Sequence, residues 1–214
     1  MTALVIGATG ATGTDLAKLL MADNSYSEVR ILVRRSGVFP ADNKLKEYAI
    51  DFEKMKEYTD AFEGADVAYC CLGTTLKDAG SKEKQKVIDV DYPVAFAEMA
   101  EKNGVQQFVL VSANGANAKS PFFYMRLKGI LEDAVKQMNF RRIIIVQPNS
   151  LIRKNTNRAS ETFGVKAMQA VNKIGLLKSF APISTEKLAR KMIELAAAPV
   201  NERIVIKSGK ELLK

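Results

Sequence analysis

The fold is decided by the stretch Ala3-Leu4-Val5-Ile6-Gly7-Ala8-Thr9-Gly10-Ala11-Thr12-Gly13, which passes into an amphipathic segment. This pattern predicts a buried strand, a glycine-rich turn and then a helix. Gly7 allows the tight turn, Gly10 lets the backbone approach a phosphate without an intervening Cβ, and Gly13 lets the helix pack closely on the strand. The helix N-terminus adds free N–H groups and a partial positive charge. The sequence therefore predicts a dinucleotide pyrophosphate site made of Gly7, Thr9, Gly10, Ala11, Thr12 and Gly13.

The spacing of these glycines is G-x-x-G-x-x-G, which differs from the more familiar G-x-G-x-x-G. A glycine cluster by itself is a weak motif, and an ordinary turn between a strand and a helix is the alternative interpretation. Such a turn needs only one or two glycines. Three glycines at three-residue intervals, directly after an apolar run, favour the nucleotide site.

The length and composition predict one globular domain over residues 1–214, because 47% of the 214 residues are hydrophobic. No apolar stretch reaches the roughly 18 residues that a membrane helix needs, so we expect no membrane-spanning segment. Residues 1–6 already belong to the first predicted strand, which leaves no room for a secretory signal. We therefore expect a cytoplasmic protein.

The chain contains two cysteines and no histidine. Cys70 and Cys71 are neighbours in a predicted strand, so their side chains point to opposite faces and a structural disulfide between them is not expected. The absence of histidine excludes Ser-His-Asp hydrolysis, Cys-His proteolysis and every His-based zinc site. We expect no bound metal.

The formal net charge of +8 raises nucleic acid as a partner, because phosphate neutralisation dominates such binding. The lysines, however, are interleaved with acidic residues on predicted helix faces, and no long basic run occurs. Solvated helix faces are the favoured interpretation, so we do not expect nucleic acid binding. An anionic cofactor also suits a positive field.

Apolar runs alternate with helical segments along the chain. The predicted strands are residues 3–6, 28–33, 48–50, 67–72, 107–111 and 142–146, and the predicted helices are residues 13–21, 82–103 and 122–137. Pro93 lies inside the second helix, where we expect a break or a new first turn near Asp91 and Tyr92. Near-continuous apolar strands are typical of sheets covered on both faces, so the sequence predicts an α/β fold with a Rossmann-like, doubly wound parallel sheet.

The pattern changes after Pro148. We predict helices at residues 162–172 and 185–197 and a late strand at residues 203–206, with Ser184 as an N-cap and Glu186 in the first helical turn. Residues 149–214 are too few for a second domain and predict a small cap over the carboxyl ends of the strands. The cap contains apolar residues that either line a substrate pocket or, as is more common for such helical stripes, belong to the core: Phe163, Met168, Ile174, Leu176, Leu177 and Phe180.

Two arginines, Arg34 and Arg35, follow the second strand about twenty residues after the glycine turn. An acidic residue at this place usually binds the ribose 2′-hydroxyl of NAD, whereas arginine accommodates the 2′-phosphate of NADP. The alternative is a pair of solvent-facing arginines, but the missing acid favours NADP(H). Asp51, after the third strand, is placed to cap the adenine amino group, and Phe52 beside it is included in the predicted cofactor site.

Tyr124 and Lys128 are the candidate catalytic pair, because residues four apart lie on one helix face. A tyrosine has a pKa near 10, and a fixed neighbouring cation favours its phenolate and eases proton transfer. Such a pair also arises by chance, so its position matters. Ser112 lies at the carboxyl end of the fifth strand, one helix earlier. By itself Ser112 is an ordinary turn or capping serine. Together with Tyr124 and Lys128 it forms a candidate catalytic set in one cleft.

The sequence resembles the short-chain dehydrogenase/reductase superfamily in its atypical, NAD(P)H-binding, NmrA-like branch, and more narrowly the oxidoreductases related to the human Tat-interacting protein. The resemblance covers residues 1–152 well and the remainder loosely. It is carried by residues 7–13, Cys70-Cys71-Leu72-Gly73-Thr74-Thr75, Val111-Ser112, Tyr124-x-x-x-Lys128 and Gln147-Pro148-Asn149.

The resemblance implies that Tyr124 is the general acid/base, that Lys128 holds the nicotinamide ribose and that Ser112 orients the substrate oxygen. It also implies that the cofactor is lined by Leu72, Gly73 and Thr74 and that the segment after Pro148 closes near the nicotinamide. Two positions depart from the family pattern. Asp91 stands where epimerase-type relatives often have asparagine, so the resemblance does not assign the residues of the proton relay. Gln147 stands where arginine is common, so the resemblance does not assign a clamp for a substrate anion.

These observations lead to the hypothesis of an NADPH-dependent oxidoreductase acting on a small-molecule carbonyl or alcohol. One alternative is an enzyme similar to nucleoside-diphosphate-sugar epimerases, which the short segment after the sixth strand disfavours. Another is a non-catalytic regulatory protein that senses NADP(H). The Ser112, Tyr124 and Lys128 set favours an enzyme, and the sequence leaves a homodimer open.

Overall fold

A parallel sheet of seven strands forms the centre of the computed structural model, which describes residues 1–152 and 181–213. Its strand order is β3-β2-β1-β4-β5-β6-β9, and every neighbouring pair is parallel. The order runs outward in both directions from β1, so the predicted doubly wound sheet is confirmed. The strands are β1 Thr2–Ile6, β2 Glu28–Val33, β3 Leu45–Ala49, β4 Val67–Cys70, β5 Gln107–Val111, β6 Arg142–Gln147 and β9 Ile204–Ser208, while β7 Leu151–Ile152 and β8 Ile183–Ser184 pair separately.

Helices cover both faces of the sheet. The α-helices are α1 Ala11–Ala22, α2 Leu76–Ala79, α3 Lys82–Lys86, α4 Tyr92–Lys102, α5 Phe123–Lys136 and α6 Thr185–Ala197. Short 3₁₀ segments are Phe52–Glu57, Thr59–Ala61 and Gly209–Leu212.

The core consists of two apolar clusters separated by the sheet. Along β1, Leu4 and Ile6 belong to the cluster under α4 and α5, whereas Ala3 and Val5 belong to the cluster under α1 and α6. All four side chains are fully buried. Burial on both faces explains why this strand reads as a continuous apolar run and not as an alternating one.

A π-helical turn, Val87–Asp91, joins α3 to α4. The predicted helix over residues 82–103 therefore changes geometry shortly before Pro93, which occupies the first turn of α4. Proline has no N–H to donate to the preceding turn, and a wider turn at that point accommodates its ring. The backbone stays helical through Asp91 and Tyr92, so the expected break or new first turn takes the form of a π turn within a continuous helix.

The late strand and the last helix belong to the main layers of the fold. As β9, residues 204–208 extend the sheet beyond β6, and α6 packs against α1. Ser184 accepts a hydrogen bond from the Lys187 N–H at 3.2 Å, which confirms the predicted N-cap of α6. The latter part of the predicted cap therefore belongs to the main fold, because α6 buries Leu188, Ala189 and Met192 in one apolar cluster and β9 extends the sheet. The predicted helix at 162–172 and the six apolar cap residues lie outside the described residues.

Among the helices in the described part of the chain, none combines the length and hydropathy that crossing a membrane requires.

Candidate active site

A cavity of about 580 Å³ opens at the carboxyl ends of the central strands. This is the edge at which ligands of doubly wound sheets bind. The cavity is lined by residues that follow β1, β4, β5 and β6 and by the start of α5, and these include Gly10, Ala11, Thr12, Cys71, Leu72, Gly73, Thr74, Ser112, Tyr124, Lys128, Pro148 and Asn149.

The glycine turn is held by contacts that leave no room for side chains. Gly7 has a positive φ of 80°, and a Cβ added to it would lie 2.5 Å from the backbone N of Leu72. A Cβ on Gly13 would lie 2.1 Å from the Gly7 carbonyl oxygen. The turn closes through a hydrogen bond from the Gly10 N–H to the same oxygen, at 3.0 Å. The predicted roles of Gly7 in a tight turn and of Gly13 in close packing are confirmed.

The N-terminus of α1 faces the cavity without a capping side chain. Gly10 occupies the N-cap position, and the first turn of α1 contains no acidic residue. Thr9, Gly10 and Ala11 are exposed, and Thr12 is buried. Backbone N–H groups at such a helix end bind anions. The turn thus forms a backbone cradle that suits a phosphate group.

A buried acid, Asp89, holds the segment that follows β4. Its Oδ1 accepts a hydrogen bond from the Thr74 N–H at 2.6 Å, and its Oδ2 accepts one from Gln85 Nε2 at 3.2 Å. Burial raises the pKa of Asp89, while the charge of Lys128 and these two hydrogen bonds act in the opposite direction. No sequence pattern predicted Asp89 as a site residue.

Asp91, which the sequence analysis considered for the proton relay, lies half-exposed at the surface and forms an ion pair with Lys86 at 2.6 Å. The π turn determines which of the two acids faces inward. Asp91 therefore lies away from the cavity, whereas Asp89 is buried behind Gly73 and Thr74, which line it.

Tyr124 and Lys128 meet at the cavity as their helical spacing predicts. Lys128 is only 4% exposed, whereas Tyr124 is 39% exposed, and the Lys128 Nζ lies 5.9 Å from the centre of the Tyr124 ring. A Cβ placed on Gly73 would lie 3.6 Å from both Lys128 Nζ and Asp89 Oδ1. The ammonium group therefore lies close to the tyrosine and to the buried carboxyl.

Ser112 lines the same cavity, but its hydroxyl is already engaged. It is buried and donates to Glu132 Oε1 at 2.5 Å. Glu132 lies one helical turn after Lys128, and the i, i+4 spacing from Lys128 could have identified it. Gln147 is bound to the same carboxylate, so its side chain is part of this network.

The loop over residues 113–121 is fixed against α5 at Gly129. A Cβ on Gly129 would lie 2.0 Å from the backbone N of Ala118, and the Asn117 N–H donates to the Met125 carbonyl oxygen at 3.0 Å. This loop joins Ser112 to the helix that carries Tyr124. The close contact therefore restrains the chain between Ser112 and Tyr124.

A second cavity of about 730 Å³ lies at the ends of β2 and β3. Arg34, Asp51 and Phe52 line it, together with Glu53 and Tyr92, whereas Arg35, also exposed, is not among its lining residues. Burial raises the pKa of Tyr92, as do Glu53 and Asp51, and Arg34 opposes them. The structure thus brings Arg34, Asp51 and Phe52 together and separates Arg35 from them.

The two cysteines are free thiols at the end of β4. Burial raises the pKa of Cys70 to about 11 and raises the pKa of Cys71 as well. Both are therefore poor nucleophiles at neutral pH, although Cys71 contributes to the cavity wall.

Comparisons with known proteins agree with this geometry. A family model described as NAD(P)H-binding matches residues 7–199. The chain is 38% identical to Protein HTATIP2 of Rattus norvegicus over 150 residues, which cover 69% of this chain but only 62% of that protein, less than two thirds of its length. It is 32% identical to the mitochondrial Protein FMP52 of Debaryomyces hansenii over 209 residues, 94% of this chain and 90% of that protein.

Solved structures share the fold at low sequence identity. The anaerobillin reductase ChuY of Escherichia coli O157:H7 superposes with a TM-score of 0.70 at 17% identity, over 97% of this chain and 96% of that one. The UDP-glucuronic acid 4-epimerase of Bacillus cereus in complex with NAD gives a TM-score of 0.67 at 14% identity, over 97% and 76%.

Proposed function

This chain belongs to the NAD(P)H-binding family, and from that premise we propose that it is an NADPH-dependent oxidoreductase acting on a small-molecule carbonyl or alcohol. One observation carries the proposal. A single cavity is lined by Gly10 and Thr12 at the start of α1 and, at its other end, by Tyr124 and Lys128. An anion site and a proton-transfer pair thus share one space.

The residues present fit a nicotinamide dinucleotide. Gly7 and Gly13 make a cradle that any Cβ would fill, and the uncapped start of α1 suits the pyrophosphate. Leu72, Gly73 and Thr74 would line the cofactor beyond β4, and Pro148 lines the same cavity. When bound, the cofactor supplies the hydride.

The proposed work of the side chains is proton transfer. Tyr124, partly exposed at the cavity, donates its phenolic proton to the substrate oxygen as the carbonyl is reduced. The Lys128 ammonium, 5.9 Å from the ring centre, stabilises the phenolate that remains. Water then restores the proton from the open side of the cavity.

The proposed preference for NADPH over NADH relies on Arg34. Arg34 lines the second cavity together with Asp51 and Phe52, the pair proposed to contact the adenine. Arginine forms forked, charge-assisted hydrogen bonds to phosphate oxygens, so Arg34 is the proposed partner of the 2′-phosphate.

The test is NADPH oxidation measured across a panel of aldehydes, ketones and quinones, with Tyr124→Phe as the variant. We expect turnover in the wild type and a loss of about 100-fold or more in the variant, because one positioned acid typically contributes that much. Equal rates in the two proteins would refute the mechanism.

A different outcome would favour the regulatory alternative. If the protein binds NADPH tightly but reduces no carbonyl, and Tyr124→Phe leaves the affinity unchanged, the chain is a sensor of the cofactor and not an oxidoreductase.

A further inference from the structure

Glu132 is a buried carboxylate to which the mechanism above gives no role. Its side chain is 4% exposed and lies on α5, one turn after Lys128. Its Oε1 accepts hydrogen bonds from Ser112 Oγ at 2.5 Å and from Gln147 Nε2 at 2.8 Å. Its Oε2 accepts one from Lys136 Nζ at 3.1 Å. One carboxylate thus binds three donors.

These donors come from different elements that meet at the cavity. Ser112 follows β5, Gln147 ends β6 and Lys136 lies on α5 itself. The main chains of the first two are also joined, since the Ser112 N–H donates to the Val146 carbonyl oxygen at 2.8 Å. Glu132 therefore ties the ends of two strands to the helix that carries Tyr124.

Stability alone is a weak reason to keep this carboxylate. Burying a charge is costly, and hydrogen bonds with a cation largely offset that cost without exceeding it. A well-packed apolar residue of similar volume is often at least as stable in such a place. The arrangement is better explained by what the carboxylate does to its partners.

The effect on Ser112 follows from proton counting. A serine hydroxyl has one proton, and an ionised carboxylate accepts hydrogen bonds only. The proton of Ser112 therefore points to Glu132, which leaves the lone pairs of its oxygen for a partner in the cavity that Ser112 lines. A hydroxyl held in this way accepts hydrogen bonds and does not donate to a carbonyl oxygen.

We propose that Glu132 is a positioning residue for the reaction, holding the Ser112 proton so that Ser112 meets the substrate as an acceptor while Tyr124 donates to the substrate oxygen. The proposal rests on the proposed oxidoreductase function. It also gives a reason for Gln147, which supplies a second donor to the same carboxylate oxygen.

Kinetics with NADPH and the probe benzoin, an α-hydroxyketone whose hydroxyl can donate to Ser112, test this role in the full chain. Glu132→Ala should lower kcat about tenfold while the dissociation constant of NADPH changes less than about twofold, because a misplaced side chain slows the reaction without touching the phosphate site. In a Ser112→Ala background the same change should add less than about threefold, since the two residues act together. Glu132→Gln keeps an acceptor oxygen and should restore kcat to within about threefold of the wild type.

The role of Ser112 as an acceptor is tested by its own variant. Ser112→Ala should lower kcat/KM by about tenfold or less, whereas loss of a donor to a developing oxyanion costs about 100-fold or more. A loss from Ser112→Ala as large as that from Tyr124→Phe overturns the proposal. So does a Glu132→Ala protein that is less stable but has unchanged kcat, because Glu132 would then be structural only.

Urea unfolding of the same variants needs no turnover and separates the two possible failures. The unfolding free energies of Ser112→Ala and Glu132→Ala should be non-additive, and Glu132→Leu, which fills the buried space, replaces Glu132→Ala if that variant does not fold. Additive values mean that Ser112 and Glu132 are not energetically coupled and overturn the proposal while leaving the oxidoreductase function intact. If the variant stabilities are non-additive but the wild type reduces no carbonyl, the contact is real. The proposed oxidoreductase function is then refuted, and so is the role of Glu132 in the reaction.

Discussion

The two ends of the main cavity are built in different ways. At the end that suits phosphate, Gly7, Gly10 and Gly13 offer backbone alone, and a Cβ on the first or last of them meets main-chain atoms within 2.5 Å. At the other end, Asp89 and Lys128 are buried side chains whose charges and hydrogen bonds define the site. The lack of room for side chains therefore determines the structure of the first end. Charges and the direction of hydrogen bonds determine the structure of the second end.

The largest effect is expected from Gly7→Ala, which breaks the backbone end. The added Cβ would meet the backbone N of Leu72 at 2.5 Å, and the φ of +80° already strains any residue other than glycine. We expect a loss of about 3 kcal/mol in the free energy of unfolding. We also expect at least about a 100-fold loss of NADPH affinity, equivalent to about 2.8 kcal/mol. Urea unfolding and fluorescence titration with NADPH measure the two effects.

Gly64→Ala is the matched control for this variant. Gly64 also has a positive φ, +68°, but nothing lies within 4 Å of a Cβ built there. Its loss should be about 1 kcal/mol, from left-handed strain alone, with NADPH affinity unchanged. If both variants lose the same stability and affinity, close contact does not distinguish the glycine turn.

The next largest effect is expected from Gly129→Ala, which tests whether a steric contact also determines the structure of the side-chain end. In Gly129→Ala the new Cβ would meet Ala118 N at 2.0 Å, so the loop over residues 113–121 must move away from α5. We expect kcat to fall about thirtyfold, because Tyr124 and Ser112 lose their relative positions. The NADPH affinity should change less than about threefold, because the atoms that a Cβ on Gly129 would meet belong to Asn117 and Ala118 and not to the glycine turn.

Ile130→Ala is the control for that helix. Ile130 is the next residue on α5 and is 37% exposed, so its truncation should leave kcat unchanged. A Gly129→Ala protein with normal kcat would show that the loop contact does not set the geometry of the site.

The same division explains how far the sequence leads. The turn over residues 7–13 is closed by its own contacts, the Gly10 to Gly7 hydrogen bond and the close approach of Gly13 to Gly7, so glycine spacing predicts it. The i, i+4 spacing likewise brings Tyr124 and Lys128 together. The bond between Ser112 and Glu132 joins residues 20 apart and depends on how α5 packs against β5 and β6. The choice between Asp89 and Asp91 depends on a π turn that shifts the helical register. Local spacing points to Glu132 and to a change near Pro93, but it gives neither the partner of Glu132 nor the acid that becomes buried.

A smaller effect is expected in the second cavity. Arg34→Ala should weaken NADPH binding about tenfold, the value of about 1.4 kcal/mol that one charge-assisted contact supplies, and should leave NADH binding nearly unchanged. Arg35→Ala removes the same charge from a side chain outside the cavity and should change either affinity less than about threefold. Competitive titration with the two nucleotides measures this. An Arg35→Ala effect larger than that of Arg34→Ala would reverse the assignment.

The smallest effect is expected from Asp89→Asn. The amide keeps an acceptor for the Thr74 N–H, and the Gln85 amide can rotate to accept from it, so the variant removes charge and little else. Burial raises the pKa of Asp89, so the folded chain holds the proton to a higher pH than the unfolded chain. The free energy of unfolding therefore falls as pH rises from the unfolded pKa through the folded pKa.

The variant lacks this loss, so its stability relative to wild type should rise between about pH 4 and about pH 7.5 in urea unfolding. Asp91→Asn removes a similar charge from a half-exposed ion pair with Lys86 and should differ from wild type by less than about 0.5 kcal/mol at both pH values. If Asp89→Asn shows no more pH dependence than this control, burial does not disfavour the charge of Asp89. The side-chain end of the cavity would then be governed by space, as the glycine end is.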